Sequence, residues 1–138
     1  MKDFYSGMAP DPVGLYPHAK KVGNLLFLSG VGPRKKGLEE IPGVTLDKDG
    51  NIKSYDIEKQ CHAVFENVTL ILKASGSSWE QLVDITVFLT NMKDDFVVFN
   101  RIYAEYIKEN RPCRTTVEVN ALPTPIAIEL KCIAFVET

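Results

Sequence analysis

The chain contains 138 residues, of which 45% are hydrophobic and 25% are charged, and its formal net charge is −2. This size and composition predict one soluble globular domain, and no apolar run reaches the length of a membrane span. The first residues lack the apolar segment of a secretory signal, and the charge gives no reason to expect nucleic acid, so we expect a cytoplasmic protein without membrane or nucleic-acid partners.

The N-terminal part of the chain predicts an arm followed by a β-hairpin. Residues 1–15 show no periodicity and are expected to form an irregular arm. Gly23-Asn24 is a typical two-residue hairpin turn, and residues 19–22 precede it. The apolar run Leu25–Leu28 that follows fits a strand buried on both faces. These two segments are the first predicted strands.

A long glycine-rich connection leads from this hairpin to the first helix. A connection such as residues 30–56 is functional or disordered in a domain of this size, and Asp49-Gly50 predicts a small hairpin within it. Asp56 can cap a helix that has Glu58 in its first turn, and Gly76 has the position of a C-terminal cap. Apolar residues at steps of three and four between these ends predict an amphipathic helix.

The second half of the chain predicts a strand, a helix and two more strands. Residues 83–89 alternate between apolar and polar side chains, which indicates a strand. A second helix is expected to begin near residues 94–95 and to stop at Arg111-Pro112. Strands over residues 114–119 and 126–136 follow.

The order of these elements predicts an α+β fold in which two helices cover one face of a mixed sheet, as a single domain over residues 1–138. The strands at 25–28 and 126–136 are apolar on both sides, so the second face of the sheet is expected to be buried as well. Other subunits are the simplest cover for it, and we therefore expect an oligomer.

Arg114 is the first candidate for substrate binding. It opens a predicted strand, and the alternation of side chains puts Thr116 and Glu118 on the same face. A guanidinium group binds a carboxylate through two parallel hydrogen bonds, so Arg114 can hold a substrate carboxylate. A surface ion pair is the alternative interpretation.

Glu129 is the second candidate, because it lies inside an otherwise apolar strand. A carboxylate in such surroundings is costly unless it is paired or takes part in chemistry. It is either a catalytic acid or base, or half of a structural pair with Lys131 or Arg114.

The remaining polar residues carry weaker signals. Tyr16 and His18 could contact a ligand or could simply pack near a strand start. The basic cluster is either a solvated face or a surface that attracts an anionic substrate; it comprises Lys20, Lys21, Arg34, Lys35 and Lys36. Three cysteines and two histidines without ligand spacing give no reason to expect a disulfide framework or a metal site.

The combined pattern resembles the RidA (YjgF) family over about residues 13–136. The resemblance rests on the order and spacing of several short pieces rather than on any one of them. They are Gly14-Leu15-Tyr16, Gly23-Asn24-Leu25-Leu26-Phe27-Leu28-Ser29-Gly30, Glu66-Asn67-Val68, Val87-Phe88-Leu89, Phe99-Asn100, Arg114-Thr115-Thr116-Val117-Glu118-Val119, Leu122-Pro123 and Ile128-Glu129.

The resemblance implies a chorismate-mutase-like homotrimer with a central β-barrel and ligand clefts between subunits. It also implies hydrolysis of reactive enamines or imines of small carboxylates, with no cofactor. Arg114 would clamp the substrate carboxylate, and Glu129 would position or activate water. Tyr16 and Ser29 would line the cleft, with backbone amides near Gly30 and Val31. Thr116 stands where the best-known members have cysteine, which suggests a different substrate subgroup.

Within the family, residues 29–34, 41–44 and 122–125 resemble those of 2-aminomuconate deaminase. The resemblance implies deamination of a six-carbon dicarboxylate enamine, in the breakdown of tryptophan or aminophenol, to the keto acid and ammonia. Arg34 is then the expected partner of the second carboxylate. The alternatives are a general deaminase for 2-aminoacrylate-type enamines, a regulatory trimer that binds small acids without catalysis, and an RNA-cleaving protein, which the acidic pI disfavours.

Overall fold

The structure is a computed structural model that describes residues 1–107 and 109–137. Its strands and helices follow one another in the order predicted, with one further strand at the N-terminus. The elements are β1 (Lys2–Phe4), β2 (Ala19–Val22), β3 (Leu25–Leu28), β4 (Val44–Leu46), β5 (Ile52–Tyr55), α1 (Ile57–Ala74), a 3-10 turn (Trp79–Gln81), β6 (Leu82–Leu89), α2 (Met92–Tyr106), β7 (Cys113–Glu118) and β8 (Ile128–Phe135).

Six strands form one mixed sheet in the order β1-β2-β3-β8-β6-β7. All neighbours are antiparallel except β6 and β7, which run parallel because α2 connects them. The hairpin predicted at Gly23-Asn24 is confirmed: Val22 pairs with Leu25, and Gly23 has φ 62°. The hairpin at Asp49-Gly50 is also confirmed, since β4 and β5 pair with each other as a separate ribbon.

The two helices cover one face of the large sheet, which confirms the α+β prediction. The Asp56 carboxylate accepts hydrogen bonds from the backbone N–H groups of Glu58 and Lys59, so α1 begins where its cap was predicted. At its other end Gly76 has φ 79°, a conformation that favours glycine, and the Ser77 N–H bonds to the Leu72 carbonyl. The helical residues of the core pack on β6 and β8.

The alternation along β8 separates the two faces of the sheet. Ile128, Leu130, Cys132 and Ala134 are buried beneath the helices. The side chains between them point to the opposite face, which we call the open face, and no helix among the described residues covers it. Several of its apolar side chains are exposed: Leu25 is 41% exposed, Phe135 38% and Val117 37%.

Three sequence expectations need correction. The arm over residues 1–15 is not wholly irregular, because Lys2–Phe4 pairs with β2 as an edge strand. Helix α2 begins at Met92 rather than near 94–95, since the Asn91 side chain accepts from the Asp94 N–H and caps the helix earlier. It ends at Tyr106, well before Arg111. No helix in the described ranges is long and apolar enough to cross a membrane.

Candidate active site

Arg114 lies near the start of the edge strand β7, under the end of α2. Its guanidinium carbon lies 4.7 Å from the ring centre of Tyr103, 5.4 Å from that of Phe99 and 5.9 Å from that of Phe96. Cation–π contact of this kind orients a guanidinium without using its N–H donors. No carboxylate of residues 1–107 and 109–137 forms an ion pair with Arg114, so the surface ion pair considered above is not formed.

Thr116 follows on the same face of β7, as the alternation predicted. Its hydroxyl oxygen is buried and has no hydrogen-bond partner within the described chain. Leaving a buried hydroxyl unpaired costs about 1–3 kcal/mol, so such a group calls for an explanation. Together with Arg114 it forms the first of two candidate half-sites, which we call the arginine half-site.

Arg111 was missed by the sequence reasoning, which treated it only as a helix stop. It borders the same groove as Arg114, together with Asn100, Tyr103, Ala104, Ile107 and Pro112. Both arginines thus line a groove whose described lining contains no carboxylate. The sequence signal was the spacing of three residues between the two arginines, but only the path of the loop before β7 shows that both line one groove.

The second half-site is a cleft beneath the N-terminal arm, and it gathers most of the other predicted residues. Tyr16, Ser29, Gly30, Val31 and Arg34 all line it. Pro10, Asp11 and Pro12 of the arm form its other side, with His18 between them. We call it the arm cleft.

The polar atoms of the arm cleft are partly engaged already. The Ser29 hydroxyl donates to the Pro17 carbonyl at 2.7 Å, and an Arg34 N–H donates to the Asp11 carbonyl at 2.9 Å. The Val31 N–H bonds to the Leu130 carbonyl at 2.8 Å. A β-bridge to β8 thus uses the Val31 donor, and Val31 lines the cleft; ligand binding by other backbone amides near Gly30 and Val31 stays a prediction.

Glu129 lies on the open face beside Gly30, and the two are in direct contact. A Cβ atom at Gly30 would stand 2.7 Å from the Glu129 carboxylate oxygen Oε2, so glycine is what allows this approach. Burial raises the pKa of Glu129 above its ordinary value. Neither structural pair considered for it is formed in the described chain: Lys131 donates to the Leu28 carbonyl at 2.8 Å, and Arg114 stacks on rings.

The arginine half-site and Glu129 are not brought together within one chain. Ile85 of β6 pairs with Arg114 on one side and with buried Cys132 on the other, so Arg114 belongs to the helix-covered face. Glu129 pairs with Phe88, which lies on the open face. Paired residues of neighbouring strands point to the same side of a sheet. The two candidates therefore lie on opposite faces.

The basic cluster is largely neutralised by local carboxylates. Lys20 pairs with Asp3 at 3.3 Å, Lys35 with Glu66 at 3.0 Å and Lys36 with Asp11 at 3.0 Å. These contacts are exposed and contribute little to stability, but they favour the interpretation as a solvated face.

The cysteine side chains offer no reactive thiol in the core. Burial raises the pKa of Cys61 and of Cys132 to about 12, so both stay protonated at neutral pH. In the described part of the chain, no three His, Cys, Asp or Glu side chains come close enough to hold a metal ion.

Comparison with known proteins gives consistent matches over nearly the whole chain. A family model described as endoribonuclease L-PSP matches residues 6–136. A RutC family protein from Pyrococcus horikoshii is 41% identical over 130 residues, which are 94% of this chain and 93% of that protein. The chloroplastic reactive intermediate deaminase A of Arabidopsis thaliana is 40% identical over 91% of this chain, which spans 61% of that longer protein.

Among solved structures, the TdcF protein of E. coli with bound serine has a similar fold. The TM-score is 0.85, the sequence identity is 28%, and the alignment covers 99% of this chain and 100% of that one.

Proposed function

Since the chain belongs to the endoribonuclease L-PSP family, which includes the RidA, YjgF and RutC proteins, we propose that it hydrolyses a reactive enamine or imine carboxylate to a keto acid and ammonia. The observation that carries this proposal is the arginine half-site. There a guanidinium stacked on aromatic rings shares one strand face with a buried hydroxyl, and neither has a hydrogen-bond partner among the described residues. Such a site suits a small carboxylate. The names of two similar proteins, a reactive intermediate deaminase and a structure with bound serine, support it.

The proposed site forms between two subunits. The open face exposes apolar side chains, and the two candidate groups lie on opposite faces of one sheet. In a cyclic homotrimer, the edge strand β7 of one subunit can approach Gly30 and Glu129 of the next. The arginine half-site of one copy and the arm cleft of its neighbour then complete each site. This arrangement gives a partner to Arg114 and Thr116 of the first and to Glu129, which lies beside Gly30 of the second; none of the three side chains has a hydrogen-bond partner among the described residues.

The proposed chemistry needs only positioning and one proton shuttle. The enamine tautomerises to an imine, Arg114 fixes its carboxylate, and water adds to the imine carbon while the nitrogen gains a proton. The carbinolamine then loses ammonia and leaves a ketone. Glu129 accepts the proton of the attacking water and returns it to the departing nitrogen, a role worth about 10²–10⁴-fold in rate. Burial shifts the pKa of Glu129 upward, toward neutral pH, which suits both the uptake and the return of the proton.

Mixing inactive subunits tests the shared site. Arg114→Ala and Glu129→Ala chains are each expected to be inactive. If each site takes its arginine from one subunit and its glutamate from the next, a random one-to-one mixture recovers about a quarter of wild-type activity, because one junction in four carries both groups. The assay is ammonia release from 2-aminoacrylate after coexpression. A mixture that stays inactive refutes the intersubunit site.

For the substrate we propose a dicarboxylate, 2-aminomuconate, with a cation in addition to Arg114 for the second carboxylate. Arg34 is the partner expected from the sequence. Arg111, in the groove of Arg114, is a second candidate that the structure adds. Arg111→Ala and Arg34→Ala are compared for KM on 2-aminomuconate and on 2-aminoacrylate. The arginine whose replacement raises KM for 2-aminomuconate but not for 2-aminoacrylate is the partner of the second carboxylate.

A general deaminase for 2-aminoacrylate-type imines is the second candidate function, and the name of the Arabidopsis relative favours it. The two are separated by comparing kcat/KM on 2-aminomuconate and 2-aminoacrylate with Arg114→Ala as the control. Faster turnover of 2-aminoacrylate by the wild type refutes the dicarboxylate proposal and supports the general role. Binding of keto acids with no ammonia release from either substrate refutes both.

A further inference from the structure

One segment of the N-terminal arm closes the side of the arm cleft, and His18 binds it at two points. We call residues 6–12 the strap. The Ser6 backbone N–H donates to His18 Nδ1 at 2.9 Å, and His18 Nε2 lies 2.8 Å from the Pro10 carbonyl oxygen. We propose that His18 is a positioning residue that keeps the strap on the cleft while its ring is neutral and releases it when the ring is protonated.

The two hydrogen bonds determine the protonation state of the ring. A backbone N–H can only donate, so Nδ1 must accept and carries no proton. A carbonyl can only accept, so Nε2 must carry one. The strap is therefore compatible only with the neutral Nε2–H form. A proton on Nδ1 would point at the Ser6 N–H, and no flip of a doubly protonated ring restores an acceptor there.

These two bonds are more important for the strap than its other polar contacts. His18 is 7% exposed, so breaking its bonds leaves buried polar groups unpaired. The strap is also held by Arg34, which donates to the Asp11 carbonyl, and by the ion pair of Lys36 with Asp11. Both of those contacts are exposed to solvent, where water replaces a lost partner at little cost.

Glu129 contacts Gly30 of the same cleft, and several other ionisable side chains lie near His18. Its charged and titratable neighbours in the described chain are Tyr5, Asp11, Tyr16, Arg34 and Lys36. The hydrogen bond from Lys36 and its charge lower the pKa of Asp11, which favours the ionised carboxylate. Closure requires the neutral ring, so it is complete at high pH and is lost as the pH falls.

The strap matters for substrate because Pro10, Asp11 and Pro12 face Ser29 and Gly30 across the cleft. This consequence rests on the proposed function, whereas the hydrogen bonds of His18 do not. The closure of the strap and its effect on ligand binding are therefore measured separately.

Hydrogen–deuterium exchange of the full-length protein tests the strap itself. Exchange of a peptide over residues 5–13 is compared at pH 8 and pH 5 after correction for the intrinsic pH dependence. The wild type is expected to lose protection by about tenfold or more at pH 5, the factor for one buried hydrogen bond. His18→Gln offers one acceptor and one donor but does not titrate, so its protection should be equal at both values.

The chain has only one other histidine, which provides the matched control. His62 on α1 lies 3.0 Å from the Tyr106 hydroxyl, away from the strap, so His62→Gln should behave as the wild type does. Equal wild-type protection at both pH values overturns the proposal without reference to any variant. A pH response that survives in His18→Gln also overturns it.

Binding of pyruvate, a keto acid product of the proposed chemistry, tests the link to substrate. The Kd of the wild type should rise several-fold from pH 8 to pH 5, and that of His18→Gln should not. If the strap opens with pH while the affinity stays constant, the assignment of the arm cleft to substrate is overturned and the action of His18 on the strap is supported.

Discussion

Replacing Gly30 with alanine should damage catalysis far more than stability. The added Cβ would stand 2.7 Å from Glu129 Oε2 and 3.0 Å from Cδ, whereas ordinary contact begins near 3.4 Å. The carboxylate must therefore move by about 0.7 Å. It is the free end of a flexible side chain with no ion-pair partner in the described chain, so the move costs the fold little. A displacement approaching 1 Å of a catalytic group costs on the order of 10²-fold in rate.

The assay is steady-state ammonia release from 2-aminoacrylate together with thermal unfolding. We expect kcat to fall by about 10- to 100-fold, and Tm to change by no more than a few degrees. Glu129→Ala provides the control, because Gly30→Ala should cause no further loss in a chain that lacks the carboxylate. A Gly30→Ala enzyme with wild-type kcat and wild-type Tm would refute the role of Glu129. Additive losses in the double variant would show that Gly30 acts by another route.

Three further predictions concern the groups that would bind and activate the substrate. Arg114→Lys keeps the charge but loses the planar fork, so kcat/KM on 2-aminoacrylate should fall by about 10²-fold; a loss below threefold would contradict bidentate binding. Thr116→Val removes the unpaired hydroxyl at nearly constant volume. The free energy of unfolding should therefore stay equal or rise by about 1 kcal/mol, while the KM for substrate rises. A clearly less stable variant would mean that the hydroxyl has a partner in the folded chain. Burial raises the pKa of Glu129 in the folded chain, so its protonated form favours folding and that contribution is lost as the pH rises through the raised pKa. Glu129→Gln should therefore be more stable than the wild type at pH 8 and lose this advantage near pH 4. The measurement is the Tm of both proteins at both pH values. The same difference in Tm at pH 8 and pH 4 would contradict the burial of a charged carboxylate.

The local elements were largely predictable because short-range rules determine them. Asp56 and Gly76 mark the ends of α1 by cap chemistry, which needs no distant partner. Gly23-Asn24 sets the turn of the first hairpin in the same way. Two errors in the predicted elements have different causes: one is a helix cap that was overlooked, and the other is a strand that forms only by pairing with a distant segment. Asn91 caps α2 earlier than the aspartates suggested, and the pairing of Lys2–Phe4 with β2 depends on a strand many residues away.

The candidate site was predictable as a set of residues but not as an arrangement. The alternation of β7 already puts Arg114 and Thr116 on one face, and the apolar strand around Glu129 already indicates a carboxylate that is either paired or catalytic. That these groups lie on opposite faces follows from the pairing register across the order β8-β6-β7, in which Arg114 is level with Ile85 and Glu129 with Phe88. No local pattern encodes that order, because it depends on which apolar faces bury each other.

The amino-acid sequence alone determines the periodicities, the caps and the turns, since these arise from the geometry of neighbouring residues. It also determines which side chains carry charge inside apolar segments. Tertiary structure alone decides that the Val31 amide is used by Leu130, that Arg111 reaches the groove of Arg114, and that His18 binds the strap. The physical reason is that each of these contacts joins residues that are brought together only when the sheet and its helices pack, so its free energy belongs to the whole fold rather than to any one segment.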